Sequence, residues 1–209
     1  MNVESGYLLL VEDDPDILKL LNTTLTYSGY RVVTARNGKE GLEAMRKERP
    51  AIVITDIMMP KLDGFGLVHR LRLDPETRDI PVVFITATYV TPEDREFAFD
   101  VGATHFIQKP LNLGEFLATI DELLKQGMPV TIEPLDEYNF YDGYRRRLET
   151  KLEQLNKQIA RDKLLLGDKT DASAQALKAS FRKSTAERDD ITLLLEQIRD
   201  RLKKFEKPK

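Results

Sequence analysis

Five short apolar runs, each followed by a helical pattern, constrain this chain more than any other feature. Tyr7 to Val11, Val32 to Ala35, Ile52 to Thr55, Val82 to Ile85 and His105 to Ile107 are mostly apolar, as expected of strands covered on both faces. Between them apolar residues recur at helical spacing: Ile17, Leu18, Leu20, Leu21 and Leu25; then Leu42, Ala44 and Met45; then Phe65, Val68 and Leu71. Phe97, Ala98 and Val101 make a fourth stripe, and Phe116, Leu117, Ile120 and Leu124 a fifth. Asp14-Pro15 reads as a cap with proline at the first helical position, Gly29 closes that helix, and Thr91-Pro92-Glu93 opens the fourth. Five such units predict an α/β fold, a doubly wound five-stranded parallel sheet with right-handed crossovers.

Sheets of this kind bind ligands at the carboxyl ends of their strands. Glu12-Asp13, Asp56, Thr86 and Lys109 all fall at or just after those ends, with Pro60, Asp63 and Gly64 downstream of Asp56. A carboxylate attacks phosphorus poorly unless a cation neutralises the surrounding oxygens and the donor is held in line. Mg²⁺ prefers oxygen ligands and keeps several waters, so Glu12, Asp13 and Asp56 suit it. Without such an ion the three carboxylates repel one another and push a pKa upward. Taken singly the features are ambiguous: acids suit a helix N-terminus, Lys109-Pro110 a turn, and Thr86 a strand end. In combination they read as a switchable phosphoryl site.

Through LLLVEDDPDILKLL, VITDIMMPKLDGFGL, VVFITAT and THFIQKP, residues from about 5 to 125 resemble the receiver domain of two-component response regulators. The resemblance implies that Asp56 is the phosphoacceptor and that a sensor histidine kinase is the donor partner. It implies that Asp13 ligates Mg²⁺ directly, Glu12 through water, and the Met58 backbone carbonyl as a further ligand. Thr86 corresponds to the switch hydroxyl, Lys109 to the phosphoryl-binding lysine and Phe106 to the aromatic switch position. Beyond its own phosphorylation and dephosphorylation, no enzyme activity is expected.

Three segments follow: a receiver over 1–126, a linker over 127–139 and a helical hairpin, or coiled coil, over 140–209. Lys and Arg number 14 against 20 acids through Pro129, a net of −6, and 18 against 15 beyond it, a net of +3. The acidic half fits a metal site. With no cysteine, disulfides and thiolate metal sites are excluded. MNVESGYLLLVEDD reads as neither signal peptide nor membrane span, so a cytoplasmic protein without membrane contact is expected.

In the last segment Tyr144, Leu148, Leu152, Leu155 and Ile159 predict one long helix, with the Leu164-Leu165-Leu166 cluster before a turn at Gly167-Asp168. Leu177, Phe181, Ser184, Arg188, Ile191, Leu195, Ile198, Leu202 and Phe205 then alternate steps of four and three, a heptad seam. A lone hairpin is expected to leave much of each stripe wet, which predicts a homodimer through these helices and a downstream protein partner. Ser184 and Arg188 either set register or lie on a solvated flank. The two histidines, His69 and His105, precede the hairpin, which excludes relay through a C-terminal histidine. Arg145-Arg146-Arg147 reads as a solvated face diluted by Glu149 and Glu153, so nucleic acid is not the expected partner. A nucleic-acid regulator, such as an RNA-binding antiterminator, is the alternative; an enzyme site between the helices ranks last.

Overall fold

A computed structural model describes residues 6–87, 91–126, 133–166 and 172–205. Two compact units emerge, Met1–Leu135 and Asp136–Lys209. The turn predicted at Gly167-Asp168 and the linker positions 127–132 lie outside the described residues.

The first unit alternates β1 (Leu8–Val11), α1 (Pro15–Tyr27), β2 (Val32–Ala35), α2 (Gly38–Met45), β3 (Ile52–Thr55), α3 (Gly64–Leu73), β4 (Val82–Thr86), α4 (Pro92–Val101), β5 (His105–Gln108) and α5 (Leu113–Gln126). All pairings are parallel, in the order β2-β1-β3-β4-β5. The sheet is therefore the predicted doubly wound one, and its order reverses between β1 and β3, the switch point beside whose carboxyl ends such sheets bind ligands. β1, β3 and β4 are buried throughout, whereas β2 and β5 stand at the edges and are half-covered. One core cluster joins Leu8, Leu10, Ile52, Ile54, Val83 and Ile85 of the sheet to Leu21 and Leu25 of α1 and Phe116, Ile120 and Leu123 of α5.

Helix starts follow the sequence signals. Asp14 caps α1 by accepting from the backbone N–H groups of Asp16 and Ile17, and Thr91 and Asp94 form a reciprocal capping box on α4. Gly29 takes the left-handed conformation, φ 91°, just past α1.

A buried cation was not foreseen. Arg72, 1 % exposed, occupies the apolar stripe of α3 four residues after Val68. Its Nε and Nη2 donate to the Gly102 carbonyl at the end of α4, at 3.1 and 2.5 Å, and its Nη1 to the carbonyls of Arg78 and Ile80, each at 3.0 Å. Burial lowers its pKa to about 10, with Asp79 opposing. Gly102 has φ 113°, and a Cβ there would lie 2.5 Å from Arg72 Nε.

The second unit is a hairpin of α6 (Glu137–Leu166) and α7 (Ala172–Leu202). At 30 and 31 residues, each helix runs roughly 45 Å. Helix α6 begins earlier than expected because Asp136 accepts from the Asn139 N–H at 2.9 Å and so caps it. The expectation of a wet seam fails along its apolar half: Ile191, Leu195 and Ile198 are buried within this single hairpin, as are Phe140, Tyr144, Leu148 and Leu155 of α6. The facing helix is itself the cover. Ser184 is buried within the seam, while Arg188 is half-exposed and pairs with Asp189 at 2.6 Å, so the polar interruption is internal at one position and a flank at the other. Nearer the connection between the helices the interior turns polar: buried Asp162 accepts from Ser180 Oγ at 3.1 Å, and Ser180 Oγ accepts from Gln158 at 3.4 Å.

Arg72→Met is expected to destabilise the first unit by about 3 kcal/mol or more, since buried carbonyls lose their donors. Gly102→Ala acts on the same contact. In urea melts of the two variants and their combination, the double variant should therefore lose clearly less than the sum of the singles.

Candidate functional site

Strand ends place the candidate residues. Beyond β1 the Glu12 N–H donates to the Ala35 carbonyl at 3.0 Å, and beyond β3 the Asp56 N–H donates to the Val11 carbonyl at 3.0 Å. The ladder thus continues for one residue and sets Asp56 beside the acidic pair. Carboxyl oxygens of Glu12, Asp13 and Asp56 all lie within 4.8 Å of one another. The Lys109 backbone N–H donates to the Thr86 carbonyl at 2.8 Å, which carries Lys109 from the end of β5 toward the same cleft. Its Nζ donates to Glu12 Oε2 at 2.8 Å and to Asp56 Oδ2 at 2.9 Å. The Asp56 Oδ1 accepts from the Ile57 N–H at 2.6 Å.

Electrostatics follow from this crowding. Glu12 is 2 % exposed, and burial, reinforced by the Asp56 carboxylate, pushes its pKa to about 7 against the pull of Lys109. Asp13 borders solvent, but desolvation of its carboxyl in the cleft and then Asp56 raise its pKa as well. For Lys109, burial alone would lower the amine; Asp56 and Glu12 outweigh it and leave the ammonium favoured. One lysine does not neutralise three carboxylates. The oxygen-only donors and raised acids are the environment a divalent cation would relieve, so the residues fit Mg²⁺.

Thr86 is fully buried at the end of β4. Phe106 sits half-buried on β5, in register with Phe84 of β4. Met58 is half-buried on the loop leaving β3. That loop is tightly seated: a Cβ on Gly64 would lie 2.2 Å from the Asp56 carbonyl oxygen, so only glycine lets α3 start this close to Asp56. Asp63, four residues beyond Met59, caps α3 by accepting from the Gly66 N–H at 2.8 Å. Its other oxygen, Oδ2, is buried and has no hydrogen-bond partner among the described residues. Arg72 and Arg95 were not singled out by the sequence reading. For Arg72 the available signal was its place on a buried stripe.

A 2-1-3-4-5 parallel sheet with three acids and a lysine converging at its carboxyl edge defines a receiver-type α/β fold. The chain belongs to the response regulator receiver domain family, whose sequence model matches residues 8–121. It is therefore a receiver-domain response regulator of two-component systems. Among relatives, the probable transcriptional regulator ycf27 of Pyropia yezoensis is 39 % identical over 131 residues, 63 % of this chain and 52 % of that protein. The uncharacterized transcriptional regulatory protein YkoG of Bacillus subtilis (strain 168) is 35 % identical over 150 residues, 71 % and 64 % of the two chains. The chain thus spans about half to two thirds of the length of these relatives. A similar solved structure is the signal receiver domain of a signal transduction histidine kinase from Syntrophus aciditrophicus, with TM-score 0.54 and 32 % identity over 58 % of this chain and 92 % of that one. Another is the receiver domain of the sensor histidine kinase PA1611 from Pseudomonas aeruginosa PAO1, which has a magnesium ion coordinated in its active site cleft. It matches with TM-score 0.54 and 25 % identity over 58 % of this chain and 98 % of that one.

Burial raises Asp63 to about 7, against the opposing Gly66 N–H and Arg70, while an unfolded aspartate titrates near about 3.9. A raised acid favours its protonated form in the fold. Its contribution to stability is therefore complete below about pH 4 and lost as pH climbs toward about 7. Asp63→Asn keeps the cap and removes the charge. It should melt at a higher temperature than wild type at pH 8, with the gap closing at pH 4, as read by thermal melts across that range.

Proposed function

We propose that the chain is a phosphorylation-dependent switch in which Asp56 accepts a phosphoryl group from a sensor histidine kinase. The observation that carries this reading is the Lys109 ammonium shared between Asp56 and Glu12 at 2.9 and 2.8 Å, with Asp13 beside them. An Asp56 carboxylate oxygen attacks phosphorus as the bond to the donor breaks, and Lys109 meets charge developing on the transferred oxygens. Glu12, Asp13, Asp56 and the Met58 carbonyl would hold Mg²⁺; when bound, that ion neutralises the phosphoryl oxygens and the carboxylates together. Thr86 then draws toward the phosphoryl group, the vacated space admits Phe106, and the surface of α4 and α5 changes.

The hairpin is the proposed output module, binding a protein partner and joining two copies of the chain. Support for self-association is narrower than the spacing alone suggests, because the seam's apolar half is covered within one hairpin. What is left for a second copy includes half-buried Leu152, Ile159, Leu177 and Phe181 and exposed Leu193. Light scattering on the full chain should report a dimer at micromolar concentration; a monomer there removes this part of the proposal. A cytoplasmic setting suits the reading, and no helix among the described residues is long and apolar enough to cross a membrane.

The relatives' names favour one other reading, a receiver that controls binding to nucleic acid. Against it, Arg145 pairs with Asp142 at 2.7 Å and Glu149 at 2.8 Å, and Arg146 with Asp142 at 2.6 Å, which spends the charge of two of the three arginines along their own helix. Binding to DNA or RNA that falls steeply with salt would favour this alternative.

Asp56→Asn is expected to abolish Mg²⁺-dependent labelling by a small phosphodonor, and undiminished labelling would remove the assignment. In Mg²⁺ titrations Asp13→Ala should weaken affinity more than Glu12→Ala, since a direct ligand loses a coordination bond and a water-mediated one an outer contact.

A further inference from the structure

Arg95 lies on the exposed side of α4, and its guanidinium makes no ion pair among the described residues. Its partners are two rings. The guanidinium carbon is 5.8 Å from the centroid of Phe99 and 5.9 Å from that of Phe106. Phe99 is the next turn of the same helix, so the backbone alone makes that pair meet. The Phe106 contact is different in kind, since it crosses from α4 to the edge strand β5. A cation over a ring face within about 6 Å is attracted by the ring's negative face. A ring held half-exposed on β5 can keep that cation; one rotated into the core leaves it behind.

We propose that Arg95 is a positioning residue for the switch, holding the Phe106 ring in its outward, half-buried place in the resting receiver. The inference rests on the reading of Asp56 and Phe106 given above. A contact made in one state and broken in the other biases the equilibrium between them by its own strength. For an exposed cation–ring pair that is a factor of roughly two to five in population. Because the ring and the Thr86 side chain compete for space, the same bias reaches the phosphoryl site: a receiver without the cation visits the inward-ring state more often and accepts phosphate faster. The stem of Arg95 also covers ring surface, so charge and packing must be separated. Arg95→Met retains an apolar stem without the charge, and Arg95→Lys retains a charge.

The test places para-fluorophenylalanine at position 106 of the full chain and follows its fluorine resonance with and without acetyl phosphate and Mg²⁺. Labelling of Asp56 is timed in parallel. In the resting state, Arg95→Met should move the resonance toward the position wild type takes on phosphorylation, and its initial labelling rate should rise about two- to five-fold. Arg95→Lys should stay near wild type in both. An Arg95→Met resonance coincident with resting wild type, or one displaced elsewhere with an unchanged rate, overturns the proposal. If wild type labels but its resonance does not move, Phe106 is not a switch and the proposal falls with it. If wild type does not label, the fault lies with the phosphoacceptor reading itself.

Discussion

A single ammonium, Lys109 Nζ, lies between two carboxylates that arrive on different strands, and the carboxyl edge of the sheet depends on it. Glu12, Asp13 and Asp56 converge because the adjacent parallel strands β1 and β3 end in step, and convergence alone would drive them apart. The lysine relieves part of that repulsion and in doing so ties the end of β5 to the ends of β1 and β3. Its removal would leave two largely buried acids without their counter-charge, which costs far more than an exposed pair is worth. The same shortage of positive charge that burdens the fold suits the site to a phosphoryl group accompanied by a cation. Stability and chemistry draw on one imbalance.

What could be read in the sequence was what is local in it. Tyr7 to Val11 and Ile52 to Thr55 announce covered strands, Asp14-Pro15 and Thr91-Pro92-Glu93 announce helix starts, and the acids fall where such strands must end. The structure bears out the doubly wound parallel sheet and brings Glu12, Asp13, Asp56 and Lys109 together. Contacts between distant segments were not legible. Arg72 sits at a stripe position where an apolar residue belongs, and only the three-dimensional gathering of the Gly102, Arg78 and Ile80 carbonyls explains a cation there. In the same way, heptad spacing from Leu177 to Phe205 says that a seam is covered without saying by what. Helix α6 answers along Ile191, Leu195 and Ile198.

The hairpin is chemically uneven along its length. Toward the start of α6, Phe140, Tyr144 and Leu148 are buried, as are Ile191, Leu195 and Ile198 of α7, and Arg201 lies over the Tyr141 ring at 5.2 Å. Toward the other end Asp162, Ser180 and Ser184 occupy the interior. Apolar burial of that kind contributes on the order of 1.5–3 kcal/mol per large side chain, while a hydrogen-bonded polar pair contributes about 1. Cohesion of the hairpin comes chiefly from the apolar end.

Arg72 has a consequence for how the receiver moves. Its guanidinium rests on carbonyls from the end of α4, from the loop after α3 and from the approach to β4. Detaching any of them leaves a charge in the protein interior with one partner fewer, so local opening of this corner is cooperative rather than piecemeal. Helix α4 is thereby held from outside at its C-terminal end by the Arg72 guanidinium, while at the other end its own buried Asp94 closes the capping box with Thr91. A displacement of α4 that kept the Arg72–Gly102 bonds would pivot at Gly102, a lever whose fulcrum is a hidden cation and whose moving arm would carry the residues nearest the carboxyl edge of the sheet.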